Sequence, residues 1–174
     1  VRRGLSAAVA ATEVHTGLRS CWELERVIGE RFRSWSLCPE DALQLFEELL
    51  PQARPASVFA INMLLTVLAR ARLKSSSSVR DGPEMVVSLF NRVARGGPNK
   101  VAPSITTYSI VIGCCCRVDC LDLAFAVFGK ILKSGWRVRI HILNQLAKGL
   151  CDVKRTSDAM DLVLRRMREF GFHA

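Results

Sequence analysis

The sequence predicts an all-α fold, a short right-handed α-solenoid of stacked helical hairpins, and three observations carry that expectation. Amphipathic segments at helical spacing recur with a period near 35 residues. Glycine or proline follows the last turn of three of these segments, as a helix stop requires. No stretch demands a strand: the β-leaning Ile110, Val111 and Ile112 fall where the period places a helix.

The elements follow in order. The first 20 residues carry Arg2, Arg3 and Arg19, several Ala, Ser and Thr, and one acid, Glu13, which is the composition of an organellar transit segment or of an ordinary frayed terminus. Residues 21–57 are expected to hold degenerate N-terminal helices, with EDALQLFEELL (Glu40 to Leu50) as the second half of an incomplete unit and Ala42, Leu45, Phe46 and Leu49 on its apolar face. An expanded unit, 58–104, pairs FAINMLLTVLARA with EMVVSLFNRVARGG, whose stripe is Val86, Leu89, Phe90 and Val93. Asn62 and Phe90 are 28 residues apart where regular units have 19, and the 9 extra residues fall in LKSSSSVRDGP, a turn that lengthens at little entropic cost. A regular unit, 105–139, pairs TTYSIVIGCCCR with LDLAFAVFGKILKSG, with Ala124, Val127, Phe128 and Ile131 facing inward. The unit at 140–174 pairs HILNQLAKGLCD with SDAMDLVLRRMREFG.

Spacing tests the period. Cys116 to Cys151, Ala124 to Ala159 and Ser109 to Asn144 are each 35 residues. A two-helix unit of that length cannot bury both apolar faces alone, so neighbours must stack on it.

Charge and cysteine usage narrow the function. The 174 residues carry 25 Lys and Arg against 16 Asp and Glu, net +9. The first 55 residues are close to neutral at −1, so the rest carries +10 and favours a polyanionic partner, nucleic acid first. The longest apolar run, Ala56 to Ala69, is 14 residues where a bilayer needs about 20, so no membrane partner is expected. Seven cysteines, three of them consecutive, fit a reducing compartment better than a disulfide framework. Cys114, Cys115, Cys116 and Cys120 are expected as core thiols, because adjacent helical side chains diverge by about 100° and no ligand pair stands at zinc spacing. His15, His141 and His173 are scattered and no nucleophile, carboxylate pair or phosphate loop assembles, so the sequence is taken as a non-enzyme without cofactor or small-molecule substrate.

The segments ITTYSIVIGCCCRVDCLDLAFAVFGKILKSGWRVR and IHILNQLAKGLCDVKRTSDAMDLVLRRMREFGFHA resemble the pentatricopeptide repeat family, with VFAINMLLTVLARA and EMVVSLFNRVARGG as a looser copy. The resemblance covers about Glu40 to Ala174, and the GCCCR and KGLCDVKRTSDAMDLVLRRM phrases are similar to the restorer-of-fertility-like branch of plant organellar proteins. It implies a superhelix that binds single-stranded mitochondrial RNA, one base per repeat, and takes part in RNA processing or expression. The tetratricopeptide alternative, with its Trp, Leu-Gly and Tyr signature, has no counterpart here.

In the resembled family the fifth and last residues of each unit face a base. That places candidate readers at Asn62 with Ser104, Ser109 with Arg139, and Asn144 alone. Asn and Ser suit a Watson–Crick edge, and Asn inside an apolar helix is otherwise poorly explained. Arg139 replaces the usual Asp or Asn and is expected on phosphate, or the Ser109 unit forms only a solvated polar surface. The second residue of each unit, Phe59, Thr106 or His141, is the candidate for stacking between bases, with core packing the favoured reading for Phe59. The basic residues Arg92, Arg95, Lys130, Lys133, Lys148, Arg165, Arg166 and Arg168 could line phosphates, and Lys148, on a first helix, is expected closer to RNA than Arg165 or Arg166, because second-helix charges usually form the convex face. So short an array reads about three bases, which suggests a fragment, a truncated form or a weakly binding remnant. The competing function is a protein-interaction scaffold that holds a peptide or helix in the groove.

Overall fold

The computed structural model describes residues 19–71, 82–95, 101–166 and 169. Residues 1–18 of the expected transit-like terminus and 72–81, most of the expanded turn of the second unit, therefore lie outside the described residues. Eight α-helices, and no strand, appear among the described residues: α1 (Cys21–Arg33), α2 (Pro39–Leu49), α3 (Val58–Arg70), α4 (Gly82–Arg95), α5 (Ile105–Arg117), α6 (Leu121–Lys133), α7 (Ile140–Asp152) and α8 (Thr156–Asp161). A π-helical turn, Leu162–Arg166, continues α8. No helix among the described residues is long and apolar enough to cross a membrane.

The helices pair as α1/α2, α3/α4, α5/α6 and α7/α8. The first helices α1, α3, α5 and α7 pack side by side in one layer, and α2, α4 and α6 each also touch the first helix of the following hairpin. This nearest-neighbour arrangement is that of an α-solenoid. The three apolar stripes expected from the sequence are buried, with Ala42, Phe46, Val86, Ala124 and Ile131 fully so.

Where the sequence suggested an incomplete first unit, two helices stand. Ser20 caps α1 through a reciprocal box, its backbone N–H donating to Glu23 at 2.8 Å while its hydroxyl accepts from the Glu23 N–H at 3.3 Å. Pro39 opens α2 at a position where its missing N–H is not needed. The four first helices are each 13 residues long. Three of them end alike, with a non-glycine residue in the left-handed region: Trp35 (φ 56°), Asp119 (φ 55°) and Lys154 (φ 62°). Each turn is closed by a long backbone bond, from Ser36, Cys120 and Arg155 to the carbonyls of Arg31, Cys115 and Leu150.

Cys114, Cys115 and Cys116 are buried between hairpins, and burial pushes the Cys115 thiol up to about 12 and the Cys116 thiol to about 11. Cys120 departs from the core expectation. It sits in the α5–α6 turn as the residue preceding α6 and is exposed.

Candidate nucleic-acid interface

Equal helix lengths put equivalent positions of α1, α3, α5 and α7 in register. The second residues are Trp22, Phe59, Thr106 and His141, and all four are exposed. Phe59 is the departure here: at 72% exposure it is a surface side chain, not a core one. Trp22 is 62% exposed, with the Arg26 guanidinium 5.9 Å from its ring centre.

The fifth residues are Glu25, Asn62, Ser109 and Asn144. Asn62 and Ser104 come together as paired by the sequence. Asn62 is only 8% exposed, its Nδ2 donates to Ser104 Oγ at 3.1 Å, and its Oδ1 accepts from Thr107 Oγ1 at 2.7 Å. Ser104 is held there because it also caps α5, accepting from the Thr107 N–H at 3.3 Å.

Ser109, 7% exposed, is not a solvated surface residue. Its hydroxyl lies 2.8 Å from His141 Nε2 and donates to Gln145 Oε1 at 3.5 Å, so it contacts the neighbouring first helix. Arg139 is exposed at the start of α7 and is not joined to Ser109. Burial, with the Arg139 charge adding to it, holds the His141 imidazole below its ordinary value. Asn144 is exposed, and among the described residues its side-chain amide has no hydrogen-bond partner.

The first hairpin supplies a set that sequence reasoning missed. Glu25 occupies the fifth position of α1, and Ser57, immediately before α3, the last position of that unit. The Ser57 hydroxyl donates to Glu25 Oε1 at 2.5 Å, and Arg54 Nη2 donates to Oε2 at 3.3 Å. The Ser20-x-x-Glu23 capping signature was the available signal, since it sets the start of α1 and hence the count to Glu25.

A groove of about 320 Å³ runs across α3, α5 and α7, lined by Thr66, Arg70, Gly113, Arg117, Gln145 and Lys148 among others. Lys148 therefore lies in the groove, joined by two cations not singled out before, Arg70 and Arg117. These are the last residues of α3 and α5; the same position holds Arg33 in α1 and Asp152 in α7. Arg92 is engaged elsewhere, donating to Glu47 in a two-pronged pair at 2.5 and 2.7 Å and lying 5.7 Å from the Phe46 ring centre. Arg95, Lys130 and Lys133 are exposed on second helices. The side chains of Arg165, Arg166 and Arg168 lie outside the described residues.

Comparison with known proteins agrees with this geometry. The PPR repeat family model matches residues 106–136. Over 170 residues, 98% of the chain, it is 44% identical to "Protein Rf1, mitochondrial" of Oryza sativa subsp. indica, covering 19% of that protein. It is 33% identical over 109 residues, 62% of the chain, to "Pentatricopeptide repeat-containing protein At1g12620" of Arabidopsis thaliana, covering 16% of it. It is 28% identical over 138 residues, 78% of the chain, to "Putative pentatricopeptide repeat-containing protein At1g12700, mitochondrial" of Arabidopsis thaliana, covering 21% of it. The chain thus spans about one fifth of the length of these relatives. With a matching repeat model, paired helices at the expected phase and identity along nearly its whole length, the chain belongs to the pentatricopeptide repeat family, in its restorer-of-fertility-like branch.

Proposed function

We propose that this chain binds single-stranded RNA in the groove of its first helices, as part of a mitochondrial protein acting in RNA processing or expression. One observation carries the reading: four successive first helices present, in register, an exposed second residue that is aromatic or His in three of them, a polar fifth residue, and a terminal Arg in three. Stacking faces, hydrogen-bonding edges and cations in parallel rows are what an unpaired strand requires. The role is occupancy of the RNA, without chemistry performed on it. Mitochondrial action is supported by the names of two relatives.

Within the row the positions are unequally prepared. Asn144 offers an amide with no such partner among the described residues, whereas Asn62, Ser109 and Glu25 are held by protein partners that a base would have to displace. Base discrimination therefore rests first on the α7 hairpin.

Fluorescence anisotropy with labelled single-stranded and duplex RNA tests the reading. Preference for the single strand is expected, with log K falling against log salt by about 0.7 per phosphate contacted. A flat salt response, or equal binding after Asn62→Ala and Asn144→Ala are combined, would favour the peptide scaffold instead.

A further inference from the structure

A second, larger cavity lies between the start of α5 and the α6–α7 loop. It is a wide-mouthed depression of about 790 Å³, within the roughly 300–1,000 Å³ of ligand pockets. Ile105, Val138 and Ile140 make its apolar wall, Trp136 adds an indole, and Arg137 and Arg139 stand at its edge, with no carboxylate among the described residues that line the space. Ser104 and His141 also line it, so it opens onto the row of base-facing positions.

Trp136 is held, not free to swing. Its ring centre lies 5.5 Å from that of Tyr108, which in turn meets Phe90 edge-on at 5.7 Å, so an aromatic chain runs from α4 through α5 to the loop. The indole nevertheless remains 37% exposed. A planar apolar surface next to two guanidinium groups suits a ligand that is flat at one end and anionic at the other.

We propose that this pocket takes one nucleotide, its base laid against Trp136 and its phosphate between Arg137 and Arg139, and that the nucleotide is one turned out of a bound strand at the boundary between the third and fourth hairpins. The proposal rests on the RNA-binding reading for the source of that nucleotide. A free mononucleotide has the same chemistry, and the experiment separates the two.

Short single-stranded RNAs carrying 2-aminopurine at each position in turn are titrated with the full chain. Quenching at one position, abolished in Trp136→Ala, is expected, with affinity about tenfold weaker. In Arg137→Gln, whose exposed side chain leaves the fold intact, the salt slope falls by about 0.7. If RNA binds the chain and neither substitution changes anything, the pocket assignment is overturned while the RNA reading stands. If RNA does not bind at all, the RNA reading fails and the strand-derived nucleotide fails with it. Adenosine monophosphate alone then decides the pocket: binding lost in both variants supports a nucleotide site fed by free nucleotide, and no binding overturns it.

Discussion

Asn62 and Ser104, 42 residues apart in sequence, are joined by a 3.1 Å hydrogen bond that ties the first helix of the second hairpin to the cap of the third. The pair is at once a candidate base-reading couple and a structural joint. Asn144, at the equivalent place one hairpin beyond Ser109, has no such side-chain bond among the described residues.

Opposite consequences follow for the two asparagines. Asn62→Ala leaves Ser104 and Thr107 short of a buried partner and should destabilise the fold by about 1–3 kcal/mol. Asn144→Ala should stay within about 0.5 kcal/mol of wild type while weakening RNA binding. Urea unfolding read beside anisotropy checks both; a destabilised Asn144→Ala with intact binding would reverse the assignment.

Gly149 sets how closely α7 approaches α5. A Cβ there would stand 2.9 Å from both Cys116 Sγ and Leu121 Cδ2, so Gly149→Ala should cost about 1–3 kcal/mol by overpacking. Gly129, on α6, has open space around it, and Gly129→Ala should add up to about 1 kcal/mol through helix propensity. Thermal melts of the two variants should move in opposite directions.

Arg92 and Lys148 should separate stability from RNA binding. The hydrogen bonds from Arg92 hold the Glu47 carboxyl below its ordinary value, so their contribution is present above that value and is lost as pH falls through the lowered one. Both side chains are nearly half exposed, which limits the loss in Arg92→Ala to about 1 kcal/mol. That variant should keep its RNA salt slope, whereas Lys148→Ala should lose about 0.7 from it. Equal slopes in both variants would place phosphate elsewhere.

His141 predicts a pH response. Its imidazole gives up its proton below the ordinary value of 6.5, so between the two pKa values the unfolded chain binds more protons than the folded one. Stability should therefore rise with pH through that window and level off above about 6.5. His141→Gln should flatten the rise, and an unchanged profile would mean that another group titrates.

Much of this was legible in sequence because two periodicities reinforce each other. The stripe Ala124, Val127, Phe128 and Ile131 follows the helical repeat, and the 35-residue phase places the starts of α5 and α7 at Ile105 and Ile140. α1 was harder, because its large buried side chains are only Leu24 and Ile28, and Trp22 and Glu25 were missed with it. Phe59 misled for the opposite reason: α3 is apolar on most of its surface, so pattern alone cannot tell which side faces solvent. Arg70 and Arg117 stand at helix C-termini, where a cation is favoured whatever its role. The Trp136 pocket joins segments about 30 residues apart across two loops, a relation that no local spacing encodes.

The ladder of hairpins has a mechanical consequence. Because the main contacts link each hairpin to the next, a small rotation at one junction would displace every hairpin beyond it and change the spacing between the successive candidate positions on the first helices. Under the proposed RNA binding, a strand whose natural rise differed from that spacing would strain the array more with every nucleotide engaged. The Asn62–Ser104 hydrogen bond and the tight seat of Gly149 against Cys116 are two places where neighbouring hairpins touch directly and where such a rotation would meet resistance.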